Sequence, residues 1–319
     1  MTAGFTSEIA GDIQEFLAFK RTLGMPYRRA ELSLLAFDRF VVAHQRPLDL
    51  HQLGSLMLKW LGRNSARKPV SVACELAVLR QLHLFMARRG RSGLSEPGWP
   101  KVPTSSTYMP HVFSETEVRT LLELTATMRP PPFRRIVYRA LLLVLYTTGL
   151  RFGEALRLRL GDVDFARSTL FVTRSKGRAR WVPHHSSLAR ELKRYAVSRS
   201  ALVTPRPMDP FFIDSDGAAL SVRKASDTIR RLLRAAGLKP TKGRVGPRPY
   251  DFRHAFAVHR LTRWYRAGVD LQARLPWLSA YMGHDDLMGT EAYLTATPEL
   301  LSLAGERFRR RALVKPEPR

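Results

Sequence analysis

The sequence has one cysteine, Cys74, in 319 residues. A single thiol excludes an intramolecular disulfide, so the fold must rest on its core, and the expected compartment is a reducing one. Cys74 lies in an apolar stretch of helical character, where a buried structural thiol is expected. Long hydrophobic runs are also missing. The longest, ALLLVLYTTGL at 140–150, is too short to span a bilayer, and no secretory segment follows MTAGFTSEIAGD. The chain therefore reads as cytoplasmic, with no membrane partner. Acid is the third shortage: Asp and Glu number 27 against 53 Lys and Arg, a net charge of +26. Such an excess suits a polyphosphate partner. A lipid surface is disfavoured because no basic amphipathic helix of the membrane-surface kind is present, and a ribosomal tail because 45% of the chain is hydrophobic. Residues 1–100 carry 14 basic and 8 acidic side chains, which leaves +20 of the +26 on 101–319 and places most phosphate contacts there.

What is present is mostly helical. Ile9, Ile13, Phe16 and Leu17 recur at helical spacing, as do Leu34, Phe37 and Val41, and then Leu79, Leu82 and Met86. Breaks at 23–26, 45–49 and 63–69 divide residues 1–90 into a bundle of about four helices. Residues 91–110 contain four prolines and no apolar period, and read as an interdomain linker. A second domain, 111–319, opens at FSETEV, where Ser114 and Glu117 have the spacing of a capping box. A helix is expected over about 132–147, a hairpin from STLFVTR (168–174) and RWVPH (180–184), and helices near 187–199, 222–236 and 251–267. The chain closes with a basic tail.

In YMGHDDLMGTEAYL (281–294), His284 and Tyr293 are nine residues apart. On one unbroken helix their rings would sit on opposite faces, about 13 Å apart along the axis. Gly289 is a poor interior helix residue, however, and Thr290 followed by Glu291 is a good helix start, so a break can fold the tyrosine back. A surface helix pair with an incidental histidine fits this stretch as well. Three other positions have similar two-sided readings. Arg151 and Glu154 in TTGLRFGEALRL share a helix face, as a site or as a surface ion pair. Lys176 sits at the hairpin tip, where a solvated lysine is common. In GPRPYDFRHAF, Tyr250 and Arg253 are one turn apart, and neighbouring His254 is turned about 100° away. Residues 222–248 carry nine basic side chains and one acid, either a phosphate-facing stripe or a solvated face.

Taken together and in order, TGLRFGE, the hairpin Lys176, YDFRHAF, the Gly-His at 283–284 and Tyr293 resemble the tyrosine recombinase, or phage integrase, family over nearly the whole chain. The resemblance implies a C-shaped two-domain clamp on duplex DNA, with 1–90 as a helical, SAM-like core-binding domain and 111–319 as a mostly α catalytic domain with a small β-hairpin. It implies site-specific strand cleavage and rejoining through a covalent 3′-phosphotyrosine, for a mobile element, transposon or phage, in a nucleoid-associated enzyme. Arg151 and Arg253 would hold the scissile phosphate, Lys176 would protonate the leaving oxygen, His284 would support the phosphate, and Tyr293 would attack. Family members pair two DNA sites and act as tetramers, so the partners expected are double-stranded DNA and further recombinase subunits. PELLSLAGERFRRR (298–311) has the apolar content to pack on a neighbour.

The chemistry asks for these residue types independently. Two guanidinium forks can neutralise a phosphodiester and the charge that grows on its equatorial oxygens, so neither metal nor cofactor is expected. A phosphotyrosine conserves the phosphodiester energy, so rejoining needs no ATP. One position departs from the family pattern. Tyr250 stands where histidine is usual, and a phenol can donate a hydrogen bond but cannot serve as a neutral-pH base. This leaves room for a catalytically weakened DNA-binding protein of the same fold, or for a type IB topoisomerase-like enzyme. A metal-dependent nuclease built on Asp285, Asp286 and Glu291 with His284, or with His184 and His185, is a further alternative.

Overall fold

The computed structural model describes residues 4–44, 47–103, 109–129, 131–173, 179–243, 245–284 and 290, with isolated positions at 302, 305, 306 and 309. The chain divides into two compact units, Met1–Tyr108 and Met109–Arg319.

Among its described residues the first unit has four α-helices, α1 (Ala10–Thr22), α2 (Arg28–His44), α3 (Leu53–Leu61) and α4 (Pro69–Arg88). The expected apolar stripes form its core, with Phe37, Met57, Leu82 and Met86 fully buried. Pro69 opens α4, where its missing N–H costs nothing. Cys74 corrects an expectation. It is exposed, because α4 turns the Leu79, Leu82 and Met86 stripe inward and position 74 lies outside it. By length and composition α4 could cross a membrane, yet this stripe is packed into the bundle. The first part of the proline-containing stretch also belongs to this unit: the Ser95 carbonyl lies 3.1 Å from His83 Nε2, and the Trp99 ring stands edge-on to His83.

The second unit is built around α6 (Phe133–Thr148), whose apolar run buries Leu141, Leu142, Val144 and Leu145 against α5 (Glu115–Ala126), α8 (Ser186–Ser200) and α10 (Asp251–Arg266). The capping box opens α5, with Glu117 N–H donating to Ser114 Oγ at 3.1 Å and Ser114 N–H to the Glu117 carboxylate at 2.7 Å. Gly149 ends α6 in the left-handed region at φ 63°, and the five-residue α7 (Phe152–Leu156) follows. Beside them lies an antiparallel sheet in the order β1 (Val163–Asp164), β2 (Thr169–Val172), β3 (Arg180–Pro183). β2 and β3 are the expected hairpin. β1 escaped the sequence because two residues carry no alternation. α9 (Val222–Ala235) supplies Ile229, Leu232 and Leu233 to the core, and α11 (Leu271–Met282) packs on α10 through Leu275, Leu278 and Met282. The fold is therefore mostly α with a small sheet, as expected.

Candidate active site

The site collects around the C-terminal end of α11. The last carbonyls of a helix have no partner within it, and here three successive ones accept from three arginines. Arg180 Nε donates to Tyr281 O at 2.8 Å, Arg253 Nη2 to Met282 O at 2.8 Å, and Arg151 Nη2 to Gly283 O at 2.8 Å. The arginines come from the start of β3, from α10 and from the residue preceding α7. Cations at a helix C-terminus are also favoured by its dipole. Gly283 makes the approach possible. It takes φ 68°, and a Cβ on it would meet the Arg180 guanidinium at 2.6 Å.

Arg151 and Glu154 are not a surface pair. Glu154 is 1% exposed and bonds to Arg151 Nη1 at 2.8 Å and to the Arg151 backbone N–H at 3.0 Å. The same carboxylate accepts from Arg180 Nη2 at 2.9 Å. One buried acid is thus shared by two guanidiniums, a charge-assisted arrangement that fixes both. Arg253, 1% exposed, also donates to Gly149 O at 2.9 Å. That carbonyl is aimed by the left-handed turn of Gly149, whose open side is filled by the Phe256 ring.

His284 joins this group directly. Its Nε2 lies 2.7 Å from Arg253 Nη2 and its Nδ1 2.7 Å from Thr290 Oγ1. A guanidinium can only donate, so Nε2 accepts and the neutral ring carries its proton on Nδ1, which donates to the threonine. Thr290, expected to start a helix, lies in one, is fully buried, and holds the imidazole orientation. Of the expected site residues, the structure brings Arg151, Arg253 and His284 together. Lys176 and Tyr293 lie outside the described residues, as do Asp285, Asp286 and Glu291.

Tyr250 precedes α10, is 44% exposed, and stands edge-on to His254, with ring centroids 5.3 Å apart. Burial, with Arg253 and Arg248 acting in the same direction and Asp251 against it, holds His254 below its ordinary pKa. Tyr281 donates its hydroxyl to Pro183 O at 3.0 Å, and desolvation pushes its pKa up to about 12, which makes it a poor nucleophile. The His184–His185 pair has structural duties. His185 Nδ1 accepts from Ser187 N–H at the start of α8, and His184 Nδ1 contacts the His185 carbonyl at 3.1 Å. Among the described residues no group of three or more His, Cys, Asp or Glu could hold a metal.

Arg180 belongs to no sequence motif, although a signal for it exists. Val182 must face the core, and alternation along RWVP then turns Arg180 to the same side while Trp181 is left 57% exposed.

Two guanidiniums and an imidazole at one helix end are groups that could neutralise a phosphodiester and the charge of phosphoryl transfer without a metal. The description "Phage integrase family" matches residues 111–299. The chain belongs to that family, the tyrosine recombinases. It is 32% identical over 306 residues to a putative integrase/recombinase, y4rB, of Sinorhizobium fredii (strain NBRC 101917 / NGR234), covering 94% of this chain and 96% of the relative. It is 30% identical to the tyrosine recombinase XerC of Oceanobacillus iheyensis, over 78% of this chain and 75% of that protein. Among solved structures, the Tn1549 transposon integrase in complex with a circular intermediate DNA shares the fold at a TM-score of 0.64 and 17% identity, covering 93% of this chain and 99% of that one. XerH bound to a palindromic difH substrate does so at 0.63 and 18%, covering 87% and 78%.

Proposed function

We propose that this protein is a site-specific recombinase that cleaves and rejoins DNA strands through a covalent 3′-phosphotyrosine, in the service of a mobile element. The observation that carries this reading is the convergence of Arg151, Arg253 and His284 at the end of α11, in a chain of the phage integrase family. In the proposed reaction the two guanidiniums hold the non-bridging oxygens of the scissile phosphate. A phosphate oxygen at Arg253 Nη2 replaces the imidazole nitrogen as acceptor; the freed ring takes the Nε2–H tautomer, with Thr290 Oγ1 donating to Nδ1, and His284 then donates to the phosphate from the same side. The Tyr293 hydroxyl attacks phosphorus and loses its proton to water, the bond to the 5′-oxygen breaks, and Lys176 gives that oxygen its proton. Tyr250 donates a hydrogen bond. Attack by a DNA 5′-hydroxyl on the phosphotyrosine reverses the step and needs no ATP.

The partners are duplex DNA with paired sites and further recombinase subunits. The charge of +26 supports the first. An apolar groove of about 450 Å³, lined by Trp181, Trp264 and Trp277, supports the second, because exposed apolar patches mark contact surfaces. The place of work follows the substrate: the cytoplasm, at the nucleoid.

The test begins with selection of a binding site from a randomised duplex pool by the full-length protein. A nicked duplex of the selected site, which traps the cleaved state, should then yield a denaturation-resistant adduct mapping to Tyr293, undiminished by chelator and absent from Tyr293→Phe, which still binds. An adduct that persists in Tyr293→Phe, mapped to Tyr250 or Tyr281, refutes the nucleophile. Tight binding with no adduct from the wild type would make this a non-cutting protein of the same fold.

A further inference from the structure

Arg180 belongs to none of the motifs that define the site, yet it is bonded to two parts of it, the Glu154 carboxylate and the end of α11. Its side chain is 9% exposed. Nε holds Tyr281 O at 2.8 Å, while Nη2 and Nη1 reach the two oxygens of Glu154 at 2.9 and 3.4 Å. Its guanidinium also occupies the space that a Cβ on Gly283 would need. Arg151, at 23% exposure, is the more open of the two arginines that share Glu154. Charge bookkeeping gives this sharing a meaning. Glu154 and Arg151 alone would form a neutral pair, and a guanidinium cancelled by a buried carboxylate attracts a phosphate weakly. With Arg180 on the same carboxylate, the trio carries a net positive charge at the place where the phosphate must bind.

We propose that Arg180 is a positioning residue for strand cleavage. It shares the buried Glu154 carboxylate so that Arg151 keeps its charge for the phosphate, and it braces the turn that carries His284. The inference rests on the assignment of Arg151 to the scissile phosphate. Removing Arg180 neutralises the trio, and removing Glu154 with it restores the net charge of +1. A purely structural arginine would show no such recovery.

The experiment is single-turnover cleavage of the nicked duplex selected by the wild type, with DNA affinity and thermal midpoint measured alongside. Arg180→Gln should slow cleavage roughly a hundredfold, on the scale of one lost transition-state contact, with affinity within about threefold, because most phosphate contacts lie elsewhere. The double variant Glu154→Gln/Arg180→Gln should cleave at least about tenfold faster than Arg180→Gln. Arg180→Lys keeps the charge but, as a point donor, cannot serve both Glu154 and the Tyr281 carbonyl, so it should be about tenfold slow with a near-normal midpoint. This variant carries the test if Arg180→Gln does not fold. Cleavage within about threefold of wild type by Arg180→Gln, or by Arg180→Lys in that case, overturns the inference. A double variant no faster than the single overturns the charge-sharing role. A wild type that forms no adduct overturns the recombinase reading itself, and this inference with it.

Discussion

Gly283→Ala isolates what it takes to hold the end of α11. The residue adopts φ 68°, and an alanine there incurs left-handed strain of about 1–2 kcal/mol. Its Cβ would also stand 2.6 Å from Arg180 Nη1 and 2.7 Å from Cζ, so the guanidinium must leave. That guanidinium is bonded to Glu154 and to the Tyr281 carbonyl, and hydrogen bonds to a charged group contribute about 1.5–3 kcal/mol. The expected loss is therefore about 2.5–5 kcal/mol. Gly268 is the matched control. It takes φ 74° at the end of α10, and a Cβ added there would have nothing within 4 Å, so Gly268→Ala carries the strain alone, about 1–2 kcal/mol. Native-state hydrogen exchange of the α6 amides, which lie in the core of the second unit, reads the opening free energy of that unit. Equal losses for Gly283→Ala and Gly268→Ala would refute the claim that Arg180 is held where the structure places it.

Arg253→Lys should slow cleavage on the order of a hundred- to a thousandfold, because one ammonium cannot serve the Gly149 and Met282 carbonyls and a phosphate together; a single-turnover rate within a few fold of wild type refutes this. Tyr250→Phe should slow cleavage about ten- to a thousandfold and spare binding, whereas an unchanged rate makes Tyr250 a packing residue for His254; Tyr250→His should stay active, since imidazole can also accept the Tyr293 proton. Burial holds His254 below its ordinary 6.5. The unfolded chain therefore binds this proton first as pH falls, so the group's contribution to stability is intact above 6.5 and is lost progressively below it. His254→Gln should flatten the fall in thermal midpoint on the acid side, and an unchanged slope would remove His254 from the account.

Much of this was legible in the sequence because it is local. The stripes of α1, α2 and α4, the Ser114–Glu117 capping box and the β2–β3 hairpin each depend on residues within a turn or two of one another. Arg151, Arg253 and His284 were singled out by their motifs, which encode chemistry and not position, and the structure places the three side by side. The sequence could not show that Glu154 is buried between two arginines, because the second, Arg180, lies 26 residues away. Nor could it show that Thr290 holds His284, since its place after Gly289 suggests a helix start equally well. Cys74 was misplaced for a related reason: apolar neighbours along the chain say nothing about which face of α4 is covered.

The three carbonyls at the end of α11 also set when the site can exist. Their arginine partners lie 132, 101 and 29 residues upstream. Closing such long loops costs entropy that only later contacts repay, so these bonds belong to the last stage of folding. During synthesis all three arginines are made before Leu271–Met282, Arg151 and Arg180 by a long way, and until that helix arrives they lack the carbonyls on which they meet. A nascent chain that stops before this helix can thus carry much of the positive charge and still lack the arginine cluster proposed to hold the scissile phosphate. Assembly of the three arginines is withheld until Leu271–Met282 has been made, an order that follows from their places along the chain.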